Sequence, residues 1–82
     1  MKTEYYIEFV IKNGQDSYAM QSRWFETKRK ALNWLKNSFD FIRTSDMRIF
    51  LMSGTFDGLG DLSGDIEQEK ELDWTEVLLN DN

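Results

Sequence analysis

The sequence predicts a small α+β domain in which an antiparallel sheet packs one main helix on one face. Three observations predict this fold: an alternating N-terminal segment that ends at Asn13-Gly14, an amphipathic segment over 27–43, and a second alternating segment over 47–53. The expected order is β-β-α-β-β with a short C-terminal helix. At 82 residues the chain has the length of one domain, so we expect residues 1–82 to fold as a single unit.

The N-terminal segment predicts a β-hairpin. Apolar and polar side chains alternate over residues 3–12, which is typical of a half-buried strand. Asn13-Gly14 favours a two-residue type I′ turn, in which both central residues need positive φ. This turn would pair Phe9 with Tyr18 and would bring the apolar sides of the two strands together. We expect the second strand to run to about Trp24.

Residues 27–43 predict the main helix, with Thr27 as its N-cap and a turn after it over 44–46. The apolar residues recur at helical spacing and fall within an arc of about 100°. Packing of this arc on the sheet is expected to outweigh the basic residues of the first turn, which the helix dipole disfavours. The residues of the arc are Ala31, Leu32, Leu35, Phe39 and Ile42.

The C-terminal half predicts a second strand pair. Residues 47–53 alternate as a strand, and the glycine- and aspartate-rich segment 54–65 predicts a loop with a bulge near Gly54. We interpret 66–72 as an edge strand, although its composition also favours a helix. Asp73 is a capping residue for a short terminal helix.

Composition limits the chemistry of the chain. It has no cysteine and no histidine, which excludes disulfides, thiolate metal sites and a histidine general base. Asp57, Asp61 and Asp65 suggest a calcium loop, but their spacing does not match an EF-hand in any register. No apolar run approaches 18 residues and the N-terminus lacks a signal-peptide pattern. We therefore expect a cytoplasmic, non-enzymatic protein without a membrane segment, metal or cofactor.

Charge is divided unevenly along the chain. Residues 1–56 hold nine basic and six acidic residues, whereas 57–82 hold one and nine, so net charges of +3 and −8 give the total of −5. An extended 65–73 would point its alternate carboxylates one way, at a spacing of about 6.6 Å. These alternate carboxylates, together with Asp61 of the preceding loop, form the predicted acidic surface. Its residues are Asp61, Asp65, Glu67, Glu69, Glu71 and Asp73.

The acidic third predicts a binding role for the protein. Our leading hypothesis is that it binds and regulates or inhibits a protein partner with a basic, for example nucleic-acid-binding, surface. The carboxylate spacing resembles that of phosphates along one strand, so nucleic-acid mimicry is one form of this hypothesis. Small acidic proteins that phages and other mobile elements use against nucleases or repressors give an analogy. The simpler alternative is an edge strand whose charges only prevent aggregation.

Two other surfaces are candidate contact sites. One is a partly aromatic sheet face that the single main helix would leave open, and its residues are Tyr6, Arg23, Phe25 and Phe50. The other is a basic cluster at the helix N-terminus that could hold a phosphate or nucleic acid: Lys28, Arg29 and Lys30. The acidic third would either repel a polyanion or fold over the basic cluster and neutralise it, and both outcomes argue against direct nucleic-acid binding. A structural homodimer, closed by edge strands or by the open face, stays an alternative.

Overall fold

The computed structural model describes residues 1–38 and 47–79, which contain four strands and two helices. The strands are β1 (Lys2–Asn13), β2 (Asp16–Gln21), β3 (Met47–Phe56) and β4 (Leu62–Leu72); the helices are α1 (Lys28–Asn37) and α2 (Trp74–Leu79). All strand pairs are antiparallel, in the order β2-β1-β3-β4. The predicted α+β class and element order are confirmed.

Helix α1 packs against one side of the sheet, here called the α1 side. The Thr27 side chain accepts a hydrogen bond from the Lys30 N–H at 3.1 Å, which confirms the predicted N-cap. The helix ends at Asn37; the predicted continuation over 39–43 and the turn over 44–46 lie outside the described residues. Burial of apolar side chains from both layers stabilises this arrangement. The core consists of Ile7, Phe9, Phe25, Ala31, Leu35, Ile49, Leu51 and Val77.

The first hairpin turns one residue later than the sequence predicted. Asn13 pairs with Asp16, so Gly14 and Gln15 are the central residues. Gly14 has φ +69°, and no non-glycine residue in the described part of the chain has positive φ. This pattern fits a type II′ turn, which needs positive φ only at its first central position, so the predicted type I′ turn is wrong. The register moves by two residues, which leaves the apolar side chains of β2 on the α1 side.

A register shift after β2 reverses the side of the sheet that the next residues face. Ser22 donates its N–H to the Ile7 carbonyl at 2.9 Å, and Phe25 exchanges two backbone hydrogen bonds with Tyr5 at 2.8 and 2.6 Å. Three steps from Ser22 to Phe25 thus oppose two steps on β1. Because of the extra residue, Phe25 lies on the α1 side and Trp24 lies on the opposite side of the sheet, here called the far side. The predicted far-side position of Phe25, and the extension of the second strand to Trp24, are therefore wrong.

Trp24 covers the centre of the far side. Its ring makes edge-to-face contacts with Tyr6 at 4.7 Å and with Phe56 at 5.0 Å between centroids. It also lies on Gly54, where an added Cβ would be 2.8 Å from the ring. Tyr6 is 4% exposed and Phe50 is 8% exposed. The far side is therefore not the open aromatic face that the sequence suggested.

Strands β3 and β4 form a long hairpin. Only residues 57–61 connect them, so the predicted loop over 54–65 is wrong at both ends. Gly54 lies within β3, at a position where Trp24 leaves no space for a side chain. A register shift is found near Gly54 as predicted, with two steps from Ser53 to Thr55 opposite four steps on β4, so the extra residues belong to β4. The predicted edge strand is also confirmed, since β4 ends the sheet. Asp73 caps α2 as predicted, accepting from the Thr75 N–H at 2.8 Å.

Neither described helix is long enough and apolar enough to cross a membrane.

Candidate functional site

The predicted row of carboxylates along β4 is interrupted by a bulge. Pairing with β3 shifts by one residue between Leu51 and Met52, which leaves Glu69 without a partner residue opposite it. One extra residue in a strand reverses the side of the sheet that the following side chains face. The acidic residues before and after the bulge therefore cannot share one face. Three residue pairs define the shift: Phe50 with Glu71, Leu51 with Lys70, and Met52 with Gln68. The expectation of a single row is wrong for this reason.

Glu69 turns to the α1 side and joins three elements there. Its carboxylate accepts a hydrogen bond from the Ser53 hydroxyl at 2.8 Å, and its other oxygen lies 3.3 Å from the Lys28 ammonium. The Ser53 hydrogen bond, followed by Lys28, holds the pKa of the Glu69 carboxyl below its ordinary value. This carboxylate therefore connects β4 to β3 and α1.

Glu71 faces the far side of the sheet and pairs with Arg48. The guanidinium donates two hydrogen bonds to the carboxylate, at 3.0 and 2.6 Å, in a bidentate arrangement. The hydrogen bonds from Arg48 lower the pKa of Glu71. Nearby, Lys70 pairs with Glu76 of α2, and Asp73 is used as the helix cap. The C-terminal acids of the predicted surface thus serve contacts within the chain.

The other acids of the predicted surface form no such contacts. Asp61, Asp65 and Glu67 are exposed, and within residues 1–38 and 47–79 their carboxylates make no ion pair or side-chain hydrogen bond. All three lie in residues 57–67, which we call the hairpin tip. The tip also exposes three large apolar side chains, which are Leu59 at 89%, Leu62 at 44% and Ile66 at 40%. Sequence analysis identified the acids but missed these apolar neighbours.

Asp57 orders the connection at the hairpin tip. One carboxylate oxygen accepts from the Leu59 N–H at 2.9 Å and from the Asp61 N–H at 3.0 Å. The Asp57 N–H in turn donates to the Asp61 carbonyl at 2.9 Å. Leu59 stands between two glycines, and Gly60 has φ +85°. The loop therefore presents Leu59 to solvent from a hydrogen-bonded frame.

The basic cluster at the start of α1 is largely engaged within the chain. Lys28 pairs with Glu69 and also lies over the Tyr5 ring, 5.7 Å from its centroid. Lys30 lies 3.6 Å from Glu26. Arg29 is exposed on the same turn. With two of its three cations already beside carboxylates, this helix end is a poorer phosphate site than the sequence suggested.

The residues predicted for the open sheet face do not form one surface. Tyr6 and Phe50 are buried on the far side, and burial followed by the charge of Glu8 raises the pKa of the Tyr6 hydroxyl. Arg23 lies over the Phe25 ring, 4.3 Å from its centroid, on the α1 side. The register shift after β2 separates the two pairs, so the structure does not bring this predicted group together.

A pocket of about 280 Å³ opens between α1, α2 and the end of β4. Its walls are mainly apolar, and its rim carries the ion pairs Lys28–Glu69 and Lys70–Glu76. The pocket is smaller than a typical ligand site, and each rim cation already has a carboxylate partner. The apolar lining residues are Leu32, Leu51, Leu72 and Val77.

Neither a known relative nor a group of metal ligands points to a further site among the described residues. Comparing the chain with protein-family models, curated proteins and solved structures gives no match in any of the three. In the part of the chain that the structure describes, no three acidic side chains come together as a metal-binding group. The hairpin tip is therefore the candidate site on which a function can be argued from geometry.

Proposed function

We propose that this chain is a non-enzymatic, cytoplasmic interaction protein that binds a protein partner with a basic surface and thereby regulates or inhibits it. One observation supports this proposal most. Among the acids predicted to bind, Glu69, Glu71 and Asp73 have partners inside the fold, whereas those at the hairpin tip have none within residues 1–38 and 47–79. Those at the tip are Asp61, Asp65 and Glu67.

Unpaired carboxylates retain their full charge for a partner. A carboxylate already held by Arg48 or Lys28 would have to exchange one cation for another, which gains little free energy in water. In the part of the chain that the structure describes, Asp61, Asp65 and Glu67 have no such competitor, so they can steer a basic partner and fix its orientation. Exposed Leu59, Leu62 and Ile66 supply apolar area beside the charges, and an interface core requires such area.

The two nucleic-acid alternatives are less well supported. Mimicry of a phosphate row needs regularly spaced carboxylates on one face, and the bulge at Glu69 prevents that spacing. Direct binding needs free cations, but Lys28 and Lys30 already lie beside carboxylates. We expect a DNA and RNA titration at low ionic strength to show no binding. Affinity that falls steeply with salt would favour direct binding instead.

Two matched variants test the proposal, because each removes three negative charges from the acidic third. The first, D61N/D65N/E67Q, neutralises the unpaired acids of the tip. The second, E69Q/E71Q/E76Q, neutralises acids that have partners within the chain. Wild-type protein and both variants would serve as baits in a nuclease-treated lysate of the source organism, and the dissociation constant of any captured protein would then be measured.

We expect the tip variant to lose the partner while keeping wild-type stability. The paired-acid variant should unfold at lower urea concentration but should still capture the partner when folded. An effect of total charge alone would weaken both baits equally, which would contradict a specific role for the tip. Equal capture by all three baits would remove the acidic third from the interface altogether.

A further inference from the structure

The outer edge of β2 has a defined set of outward backbone groups. Ser22 donates to the Ile7 carbonyl, so this is a hydrogen-bonded pair of the antiparallel ladder. Hydrogen-bonded and non-hydrogen-bonded pairs alternate along two antiparallel strands. Asn13 and Asp16, which flank the two-residue turn, are a hydrogen-bonded pair in this alternation. The even-numbered residues of β2 therefore bond to β1. The residues whose N–H and C=O groups point away from the sheet are Ser17, Ala19 and Gln21.

This edge also carries exposed apolar side chains. Tyr18 is 51% exposed and Met20 is 56% exposed. Both lie on the α1 side, because Met20 is opposite Phe9 and Tyr18 is opposite Ile11. No strand in residues 1–38 or 47–79 pairs with the outer edge of β2. A partner strand here would satisfy the backbone and cover the two side chains together.

We propose that β2 pairs with β2 of a second copy of this chain, antiparallel and centred on Ala19. Ala19 then lies opposite Ala19 of the second copy, and Ser17 lies opposite Gln21. This register uses the outward backbone groups of all three residues on both chains, whereas a shift by two in either direction leaves some unused. The product is an eight-stranded sheet. This inference concerns a different surface and does not depend on the proposed function.

The side chains agree with the same register. Tyr18 of each copy lies opposite Met20 of the other in a non-hydrogen-bonded pair, the closer of the two pair types. The four exposed apolar side chains thus form one cluster on the α1 side. A two-fold axis through the Ala19 pair keeps this side continuous across both copies. The pairing therefore buries the apolar area that β2 exposes in the single chain.

Charge also favours β2 over the other edge of the sheet. The register places Asp16 opposite Ser22 of the second copy and next to its Arg23, so opposite charges approach at both ends. Edge strand β4 instead carries a run of carboxylates, and self-pairing there would bring like charges together. One six-residue strand per copy is a small interface, so we expect a weak dimer that forms at high protein concentration.

A charge-swap experiment at Ala19 tests both the edge and the register. A19K and A19E would each place like charges opposite each other, whereas a mixture of the two would place opposite charges together. We expect each variant alone to lower the association constant about fivefold, and the mixture to recover at least the wild-type value. Sedimentation velocity from micromolar to millimolar concentration would follow the mass from 9.8 kDa toward twice that value. Q68K and Q68E on β4 are the matched controls.

Amide hydrogen exchange gives a readout at each residue. Exchange at Ser17, Ala19 and Gln21 should slow as concentration rises, while Tyr18 and Met20 are already protected by β1. A wild-type chain that stays at 9.8 kDa at millimolar concentration would overturn the proposal. So would a mixture that associates no better than the separate variants. Loss of association in the Gln68 variants, with none in the Ala19 variants, would move the contact to β4 and also overturn it.

Discussion

Glu69 and Glu71, two residues apart in β4, face opposite sides of the sheet. Glu69 accepts from Ser53 and pairs with Lys28 of α1, whereas Glu71 pairs with Arg48 on the far side. The bulge at Glu69 therefore marks a change along the acidic strand. From Glu69 toward α2 the carboxylates have partners in the fold, whereas those of Asp65 and Glu67, nearer the hairpin tip, have none within residues 1–38 and 47–79.

The stability contributed by Glu69 should depend on pH. Its pKa is lowered in the folded chain, so the folded state favours the ionised carboxylate. The contribution is complete above the ordinary value of 4.5 and is lost as pH falls through the lower, folded pKa. E69Q keeps an acceptor for Ser53 but loses the pairing with Lys28, so we expect a loss of about 0.5–1 kcal/mol at pH 7.

Urea unfolding of the wild type and E69Q at pH 7 and pH 3 measures this contribution. The difference between the two proteins should shrink toward zero at the lower pH. E67Q is the control, since Glu67 has no partner within residues 1–38 and 47–79, and it should match the wild type at pH 7. A difference for E69Q that is the same at both pH values would contradict the assignment.

The element order could be predicted because its signals are local. Alternation in β1 and β3, the apolar arc of α1 and the caps at Thr27 and Asp73 each depend on a few neighbouring residues. Element ends were less accurate where a glycine suggested a loop. Gly54 lies inside β3, and a glycine fits there because the Trp24 ring leaves no space for a side chain; Trp24 is distant in sequence, so no local pattern could reveal this contact.

The errors about surfaces have one physical cause. Phe25 was expected on the far side and Glu69 beside Glu71, and in both cases one extra residue in a strand reversed the alternation. At the first shift the Ser22 hydroxyl accepts the Ile7 N–H at 2.8 Å in place of a backbone carbonyl. Such a bulge depends on pairing with a strand elsewhere in the chain, so a single strand's pattern does not predict it.

Trp24 and Gly54 should be energetically coupled. G54A would place a Cβ 2.8 Å from the Trp24 ring, which Tyr6 and Phe56 hold in place, so we expect a loss of about 1–2 kcal/mol. W24A removes a half-buried ring and should cost about 2–3 kcal/mol. In the W24A background the new methyl group meets only the Leu62 Cδ1 at 2.9 Å, the end of a flexible side chain that can move aside, so G54A should cost much less. A double-mutant cycle by urea unfolding measures the coupling, and strict additivity would contradict the contact.

Alanine substitutions at Gly14 and Gly58 measure the free-energy cost of backbone strain without a contribution from steric contact. Neither position has a heavy atom within 4 Å of an added Cβ, but Gly14 has φ +69° and Gly58 has no positive φ. G14A should therefore destabilise the chain by about 1–2 kcal/mol. G58A should be neutral or stabilise it slightly, because it only restricts the unfolded chain. Thermal unfolding of both variants provides the comparison, and equal losses would contradict a strain-based cost at the first hairpin.

Leu59 should matter for binding and not for folding. Its side chain is 89% exposed, so L59A should change the free energy of unfolding by less than about 0.5 kcal/mol. If the hairpin tip binds the partner, the same variant should weaken binding by more than about 1 kcal/mol, since the Asp57 frame holds Leu59 ready for contact. L78A, at an exposed leucine of α2, is the matched control and should bind like the wild type. Titration of the captured partner against both variants decides the matter: equal affinities would place the contact away from the tip.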